Sequence, residues 1–195
     1  MENIQNILSP LVGSTVPGKT FDAFVGDDIV KISLNDYHKK WLVLFFYPAD
    51  FTFVCPTELS ELADLYRDFK KEGAEVISVS TDTAFVHKAW HDHSSSIGKI
   101  EFPMLADPTG DLCKALGVYI PAEGLSLRGS FVIDPDGVIQ AYEVHANNIG
   151  RSPAELLRKL QAAKFVREHG GEVCPVNWKP GEKTLKPSTS LVGKI

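Results

Sequence analysis

Trp41-Leu-Val-Leu-Phe-Phe-Tyr-Pro-Ala-Asp-Phe-Thr-Phe-Val-Cys55-Pro-Thr-Glu58 is the stretch whose reading decides the fold. From Trp41 to Tyr47 the run is apolar without interruption, of strand length, and rich in aromatic side chains. That is the composition of a central strand covered on both faces. Pro48 ends it. Pro56 suits the first position of a helix, where its missing N–H would have no intrahelical partner in any case, and this places Cys55 at the N-cap. A thiolate there faces unpaired backbone N–H groups and the positive end of the helix dipole, which favour the anionic nucleophile. Cys55 is therefore a candidate reactive residue. The competing reading is an inert thiol packed as a small hydrophobe.

Working outward, Leu59, Leu62, Ala63, Leu65, Tyr66 and Phe69 recur at helical spacing until Gly73, and Ala74–Ser80 reads as a second buried strand. Strand, helix and strand make a right-handed βαβ unit with parallel strands. Asp82 is placed to cap a helix from about Thr83 to His93, with Phe85, Val86, Ala89 and Trp90 as its apolar face. Phe102–Leu105 is a short strand candidate, and Asp107-Pro108 opens a short helix that stops at Gly117. Pro135-Asp136-Gly137 between Ser130–Asp134 and Val138–Val144 signals an antiparallel hairpin. Ser152-Pro-Ala-Glu155 is a capping box that opens a helix running to Gly170-Gly171. Upstream, Ile29–Leu34 alternates weakly, like an edge strand. Downstream, Cys174–Ile195 reads as an extended tail. The order of elements predicts a thioredoxin-like α/β fold, a central mixed sheet with helices on both faces, over residues 1–170, followed by a tail over 171–195.

With 195 residues and 44% hydrophobic content the chain can fill one core. Its 20 basic and 25 acidic residues leave a net charge of −5 with no basic run, which argues against nucleic acid or an anionic membrane as partner. No apolar stretch reaches the ~18 residues of a membrane span. Met1–Pro10 lacks the pattern of a secretory signal, so the expected location is the cytoplasm. Three dispersed cysteines without a Cys-x-x-Cys pair point away from a disulfide scaffold, a zinc site and a thioredoxin-type dithiol. His87, His91 and His93 read as a solvated helix face, because no further ligand stands at metal spacing. No glycine loop fits a phosphate, and no cofactor is expected.

Several residues accompany Cys55. Thr52, three positions earlier in the loop, can place its hydroxyl near the sulfur or bond its own turn. Glu58 sits in the first helical turn, where a carboxylate ordinarily complements the helix start. A cation is needed to stabilise a thiolate, and the candidates are Arg128, before a strand, and Arg151, before a helix. Cys113 lies beside Leu112 and Leu116 and reads as a core residue. Cys174, in the proline-rich tail, has no packing reason to be a thiol, and is either idle or a second reactive group.

The segment Pro48-Ala-Asp-Phe-Thr52-Phe-Val-Cys55 resembles the peroxiredoxins, whose signature is Pro-x-x-x-Thr-x-x-Cys. Arg128-Gly-Ser-Phe-Val-Ile-Asp-Pro-Asp-Gly137, Gly150-Arg151 and Gly-Glu-Val-Cys174-Pro extend the likeness over nearly the whole chain. It is similar to bacterial alkyl hydroperoxide reductase type, typical two-cysteine members. The resemblance implies a cycle in which Cys55 is oxidised by peroxide and Cys174 of a second subunit closes a disulfide. An external reductant, a flavoprotein or thioredoxin-like protein, then reopens it. It implies that Pro48 shields the pocket, that Thr52 and Arg128 bind the peroxide, and that Glu58 with Arg151 orients Arg128. It further implies a homodimer that assembles into a decamer. Peroxide-sensitive family members carry Gly-Gly-Leu-Gly and a C-terminal Tyr-Phe, whereas this chain has Ala122-Glu-Gly-Leu125 and ends Leu191-Val-Gly-Lys-Ile195, so resistance to overoxidation is expected. The rival function is a ring-forming chaperone or redox-signalling interaction protein whose thiol is incidental.

Overall fold

A computed structural model of the chain describes residues 10–195. The N-terminal stretch read for a secretory signal lies, apart from Pro10, outside them. The elements in chain order are β1 (Thr20–Val25), β2 (Asp28–Ser33), β3 (Trp41–Phe46), α1 (Cys55–Asp64), α2 (Tyr66–Lys71), β4 (Ala74–Ser80), α3 (Ala84–His93), β5 (Met104–Ala106), α4 (Asp111–Ala115), β6 (Tyr119–Ile120), β7 (Leu125–Ser126), β8 (Arg128–Ile133), β9 (Ile139–His145) and α5 (Pro153–Glu168). Seven strands form one mixed sheet in the order β2-β1-β5-β4-β3-β8-β9, with β5, β4 and β3 parallel and the other pairs antiparallel.

The apolar run at Trp41 sits at the centre because every one of its side chains finds cover. Trp41, Val43, Phe45 and Tyr47 face Leu59, Leu62, Phe69, Trp90, Leu156 and Leu160 from α1, α2, α3 and α5. Leu42, Leu44 and Phe46 face Leu112, Leu116 and Val118 on the opposite side, where α4 lies. Each such side chain contributes about 1.5–3 kcal/mol by leaving water. Pairing with β4 (Val43 with Val76) and with β8 (Leu44 with Phe131) fixes the register. The expected βαβ unit and hairpin are present.

Other details differ from the sequence reading. β1 carries no strong pattern in the sequence, yet it bridges β2 to β5. The helix expected to run to Gly73 is two helices, α1 and α2, separated at Leu65. Thr83, not Asp82, is the N-cap of α3. The Asp82 carboxylate instead accepts from the backbone N–H of Asp50 (2.8 Å) and from Ser80 Oγ (2.9 Å). The buried stripe of α3 is Ala84, His87 and Trp90, while Phe85 is 74% exposed. His87 can be buried because both its ring nitrogens have partners, so its polarity does not force it outward. The helix expected from Asp107 begins at Asp111, after Gly110 in a left-handed conformation. Only half of the Ser152 capping box forms: Ser152 Oγ accepts from the Glu155 N–H at 3.3 Å, but the Glu155 carboxylate turns to Arg158.

After α5 the chain lacks long regular elements. It is tied back by an isolated bridge between Val173 and Leu185 and by Trp178, which is buried against Phe165 with ring centroids 4.8 Å apart. Among the described residues, no helix is long and apolar enough to cross a membrane.

Candidate active site

β3 leads directly into the site. Tyr47 N–H still pairs with Val79 C=O at 3.0 Å, then Pro48 diverts the chain into a loop that ends at Val54. Val54 is the N-cap and Cys55 the first helical residue, so α1 begins one position earlier than Pro56 alone indicated. Proline is tolerated at either of the first two positions, since neither N–H has an intrahelical acceptor. Cys55 is completely buried.

Three charged side chains from separate elements converge beside it. Arg128, at the start of β8, places Nη1 3.4 Å from Cys55 Sγ and 2.7 Å from Glu58 Oε2. The remaining arms of that guanidinium, Nε and Nη2, donate to the Asn147 carbonyl oxygen at 3.0 and 2.7 Å, which fixes its plane. Arg151, just before α5, donates to Glu58 through its backbone N–H (2.6 Å), Nε (3.0 Å) and Nη2 (3.0 Å). Its Nη1 is satisfied by the Gly129 carbonyl oxygen (2.8 Å) and Ser130 Oγ (3.1 Å), and its guanidinium stacks 3.5 Å over the Phe45 ring. Burial opposes charge on Glu58, but Arg151, and after it Arg128, outweighs this and holds the carboxyl below the usual glutamate range. Glu58 thus carries the negative charge that lets two guanidinium groups stay buried.

The loop residues have quieter roles. Pro48 is buried at its start, and the Thr52 hydroxyl donates to the Ala49 carbonyl oxygen at 2.8 Å, the turn-bonding alternative weighed for it. Cys174 lies apart: half-buried beside α5, its thiol faces the Ala162 carbonyl oxygen at 3.9 Å. Desolvation, only partly offset by Arg158, pushes that thiol up. Cys113 is buried in the opposite core, and burial together with Asp107 raises it far above the ordinary thiol range. Cys55, Glu58, Arg128 and Arg151 therefore form one cluster, with Thr52 and Pro48 on its loop and Cys174 elsewhere.

Two contributors escaped the sequence reading. Asn147 acts through a backbone carbonyl, which no side-chain pattern announces. His87, taken for part of a solvated face, is instead buried against Asp50, a residue of the Cys55 loop, with Nδ1 2.7 Å from Oδ2.

The AhpC/TSA family model matches residues 12–142, and the model described as the C-terminal domain of 1-Cys peroxiredoxin matches residues 162–194. The chain is a peroxiredoxin of the AhpC/TSA family. It is 53% identical over 173 residues to alkyl hydroperoxide reductase C of Salmonella typhimurium, covering 89% of this chain and 92% of that one. To alkyl hydroperoxide reductase C of Pseudomonas aeruginosa it is 50% identical over 185 residues, covering 95% and 99%. Among solved structures, Enterococcus faecalis AhpC superimposes with a TM-score of 0.84 at 45% identity, covering 86% of this chain and all (100%) of that one. The reduced 2-Cys peroxiredoxin of Plasmodium vivax gives 0.88 at 34% identity, covering 93% and 96%. As a peroxiredoxin, the protein is a thiol-dependent peroxidase.

Proposed function

We propose that this peroxiredoxin reduces hydrogen peroxide and organic hydroperoxides through Cys55, with Cys174 as the resolving thiol. The observation that carries the reading is the Arg128 guanidinium, bonded at once to Cys55 Sγ and to Glu58. A fixed cation beside a buried sulfur stabilises the thiolate, and the same guanidinium charge stabilises negative charge on a peroxide oxygen as it forms. An incidental thiol would not need three buried charges arranged around it.

The Cys55 thiolate attacks one peroxide oxygen, an S–O bond forms as the O–O bond breaks, and water or an alcohol leaves after the departing oxygen takes a proton. The product is Cys55 sulfenic acid. The Cys174 thiolate of a second subunit then attacks that sulfur, the S–S bond forms as the S–O bond breaks, and the departing hydroxide takes a proton to leave as water. An external dithiol, from a flavoprotein or thioredoxin-like reductant, returns both thiols. Within this scheme Pro48 closes the pocket, Thr52 and Arg128 contact the peroxide, and Glu58 with Arg151 sets the orientation of Arg128. Residues 1–170 form the peroxidase domain and 171–195 the tail that presents Cys174. The working assembly is a homodimer within a decamer, in the cytoplasm. The names of the relatives, alkyl hydroperoxide reductase C, support the substrate class.

The test is peroxide consumption with dithiothreitol as reductant, using hydrogen peroxide and cumene hydroperoxide. Wild type consumes both, and Cys55→Ser consumes neither. Retained turnover in Cys55→Ser overturns the assignment.

A further inference from the structure

A buried ionisable cluster stands behind the Cys55 loop and has no part in the cycle above. Asp50 is 7% exposed; its Oδ1 accepts the Tyr47 hydroxyl at 2.7 Å, and its Oδ2 faces His87 Nδ1 at 2.7 Å. The other ring nitrogen of His87, Nε2, faces the Leu105 carbonyl oxygen at 3.2 Å. Both nitrogens thus meet polar partners, Nδ1 also lying 3.4 Å from the Tyr47 hydroxyl, and the ring is fixed from both sides. Asp50 is gripped through its backbone as well, its N–H donating to Asp82 Oδ2 at 2.8 Å. Tyr47 after β3, His87 of α3 and Asp82 in the turn after β4 all hold this one loop residue, and β5 steadies it through His87.

Between Asp50 and Cys55 the polar grip from outside the loop ends, and Phe51 only rests against the Trp90 ring. Phe51 takes φ +54°, a left-handed conformation that aromatic residues rarely adopt, and is 58% exposed; Phe53 is 93% exposed. The Thr52 hydroxyl bonds only within the loop, to the Ala49 carbonyl oxygen, and the Thr57 hydroxyl of α1 bonds back to the Val54 carbonyl oxygen at the loop's end. Cys55 follows Asp50 by five positions, so a chain fixed at Asp50 can carry the sulfur about 17 Å when extended, at ~3.3–3.6 Å per residue.

We propose that Asp50 and His87 are positioning residues, a fixed post that holds the Cys55 loop closed for peroxide attack and marks where opening stops when Cys174 must reach the sulfenic acid. This rests on the Cys55–Cys174 cycle proposed above. The post holds the geometry needed for the first chemical step, and in the second it contributes no group to the sulfur chemistry and only bounds the opening.

The experiment follows tryptophan fluorescence in a stopped-flow instrument on mixing the reduced full-length enzyme with hydrogen peroxide. Trp90 packs 6.1 Å from the Tyr47 ring and 6.0 Å from Phe51, so it reports on this loop. Cys55 oxidation is the phase whose rate rises with peroxide concentration, and disulfide closure is the phase independent of it. Asp50→Ala is expected to slow the first phase about tenfold to a hundredfold, as misplaced reacting groups do, while closure keeps or exceeds its wild-type rate. Asp50→Asn restores the first phase, because its amide can accept from Tyr47 and donate to a neutral His87 whose Nε2–H still serves Leu105. Tyr47→Phe removes one hydroxyl and keeps the ring, and gives a smaller slowing of the same phase even if Asp50→Ala does not fold. Unchanged rates in Asp50→Ala and Tyr47→Phe, equal slowing of both phases, or an Asp50→Asn as slow as Asp50→Ala overturns the proposal. Persistence of the peroxide-dependent phase in Cys55→Ser strikes instead at the cycle on which it rests.

Discussion

Glu58→Gln changes one charge at the centre of the site and leaves its shape. Each carboxylate oxygen of Glu58 meets two donors: Oε1 takes the Arg151 N–H (2.6 Å) and Nε (3.0 Å), and Oε2 takes Arg128 Nη1 (2.7 Å) and Arg151 Nη2 (3.0 Å). Whichever way the new amide turns, its NH₂ points at two N–H donors. The side chains of Glu58, Arg128 and Arg151 are 2%, 3% and 0% exposed, so water cannot take the carboxylate's place. Removing one partner from a buried ion pair costs about 3–5 kcal/mol, mostly because the guanidinium charge is left uncompensated. For a chain of this size, with ~2–4 °C per kcal/mol, the reduced enzyme should melt about 6–20 °C lower by calorimetry. The acid limb carries the same signature. Because the Glu58 carboxyl is held below its unfolded range, its contribution is complete above the unfolded value near ~4.3 and is lost as pH falls through the lower folded value. The wild-type melting temperature should fall through that window, and the Glu58→Gln curve should be flatter there. A variant melting within about 3 °C of wild type at neutral pH would refute the claim that Glu58 compensates the two arginines.

Three further expectations concern single residues. Arg128→Lys keeps a cation but cannot bond Cys55, Glu58 and the Asn147 carbonyl together, so stopped-flow oxidation of Cys55 should slow about 10²–10³-fold with the fold retained. Cys113, buried and raised by that burial and by Asp107, should resist iodoacetamide in the native enzyme and react only after denaturation; Cys113→Ala should leave the peroxide rate unchanged, as peptide mapping and kinetics will show. Given Ala122-Glu-Gly-Leu125 where peroxide-sensitive family members carry Gly-Gly-Leu-Gly, mass spectrometry after turnover in modest peroxide should find little Cys55 sulfinic acid, and abundant sulfinic acid would contradict it.

What could be read from the sequence followed physical signals local to the chain. The run at Trp41 was legible as a central strand because burial on both faces demands continuous apolar residues, and Ala74–Ser80 was legible from Val76, Ile77 and Val79 although Glu75, Ser78 and Ser80 interrupt it. The α1 start was legible to within one residue because proline marks a first turn. β1 was not, since its burial arises from pairing with β5 some eighty positions away. The inward face of α3 was misjudged because a hydrophobic pattern ranks Phe85 above His87. A histidine whose two nitrogens are satisfied by Asp50 and Leu105 packs inward at little cost, and those partners lie 37 and 18 positions off. The approach of Arg128 and Arg151 to Glu58, across 70 and 93 positions, came from family resemblance alone. Long-range electrostatic convergence leaves no periodic trace.

The most direct test of the central claim is to add one equivalent of hydrogen peroxide to the reduced enzyme, quench with an alkylating agent, and run a non-reducing gel with peptide mapping of each band. A covalent dimer joined through Cys55 of one chain and Cys174 of another is the predicted product, absent from Cys55→Ser and from Cys174→Ser. A dimer that survives Cys174→Ser but disappears in Cys113→Ser, or oxidation that leaves Cys55 as a free thiol, would contradict it.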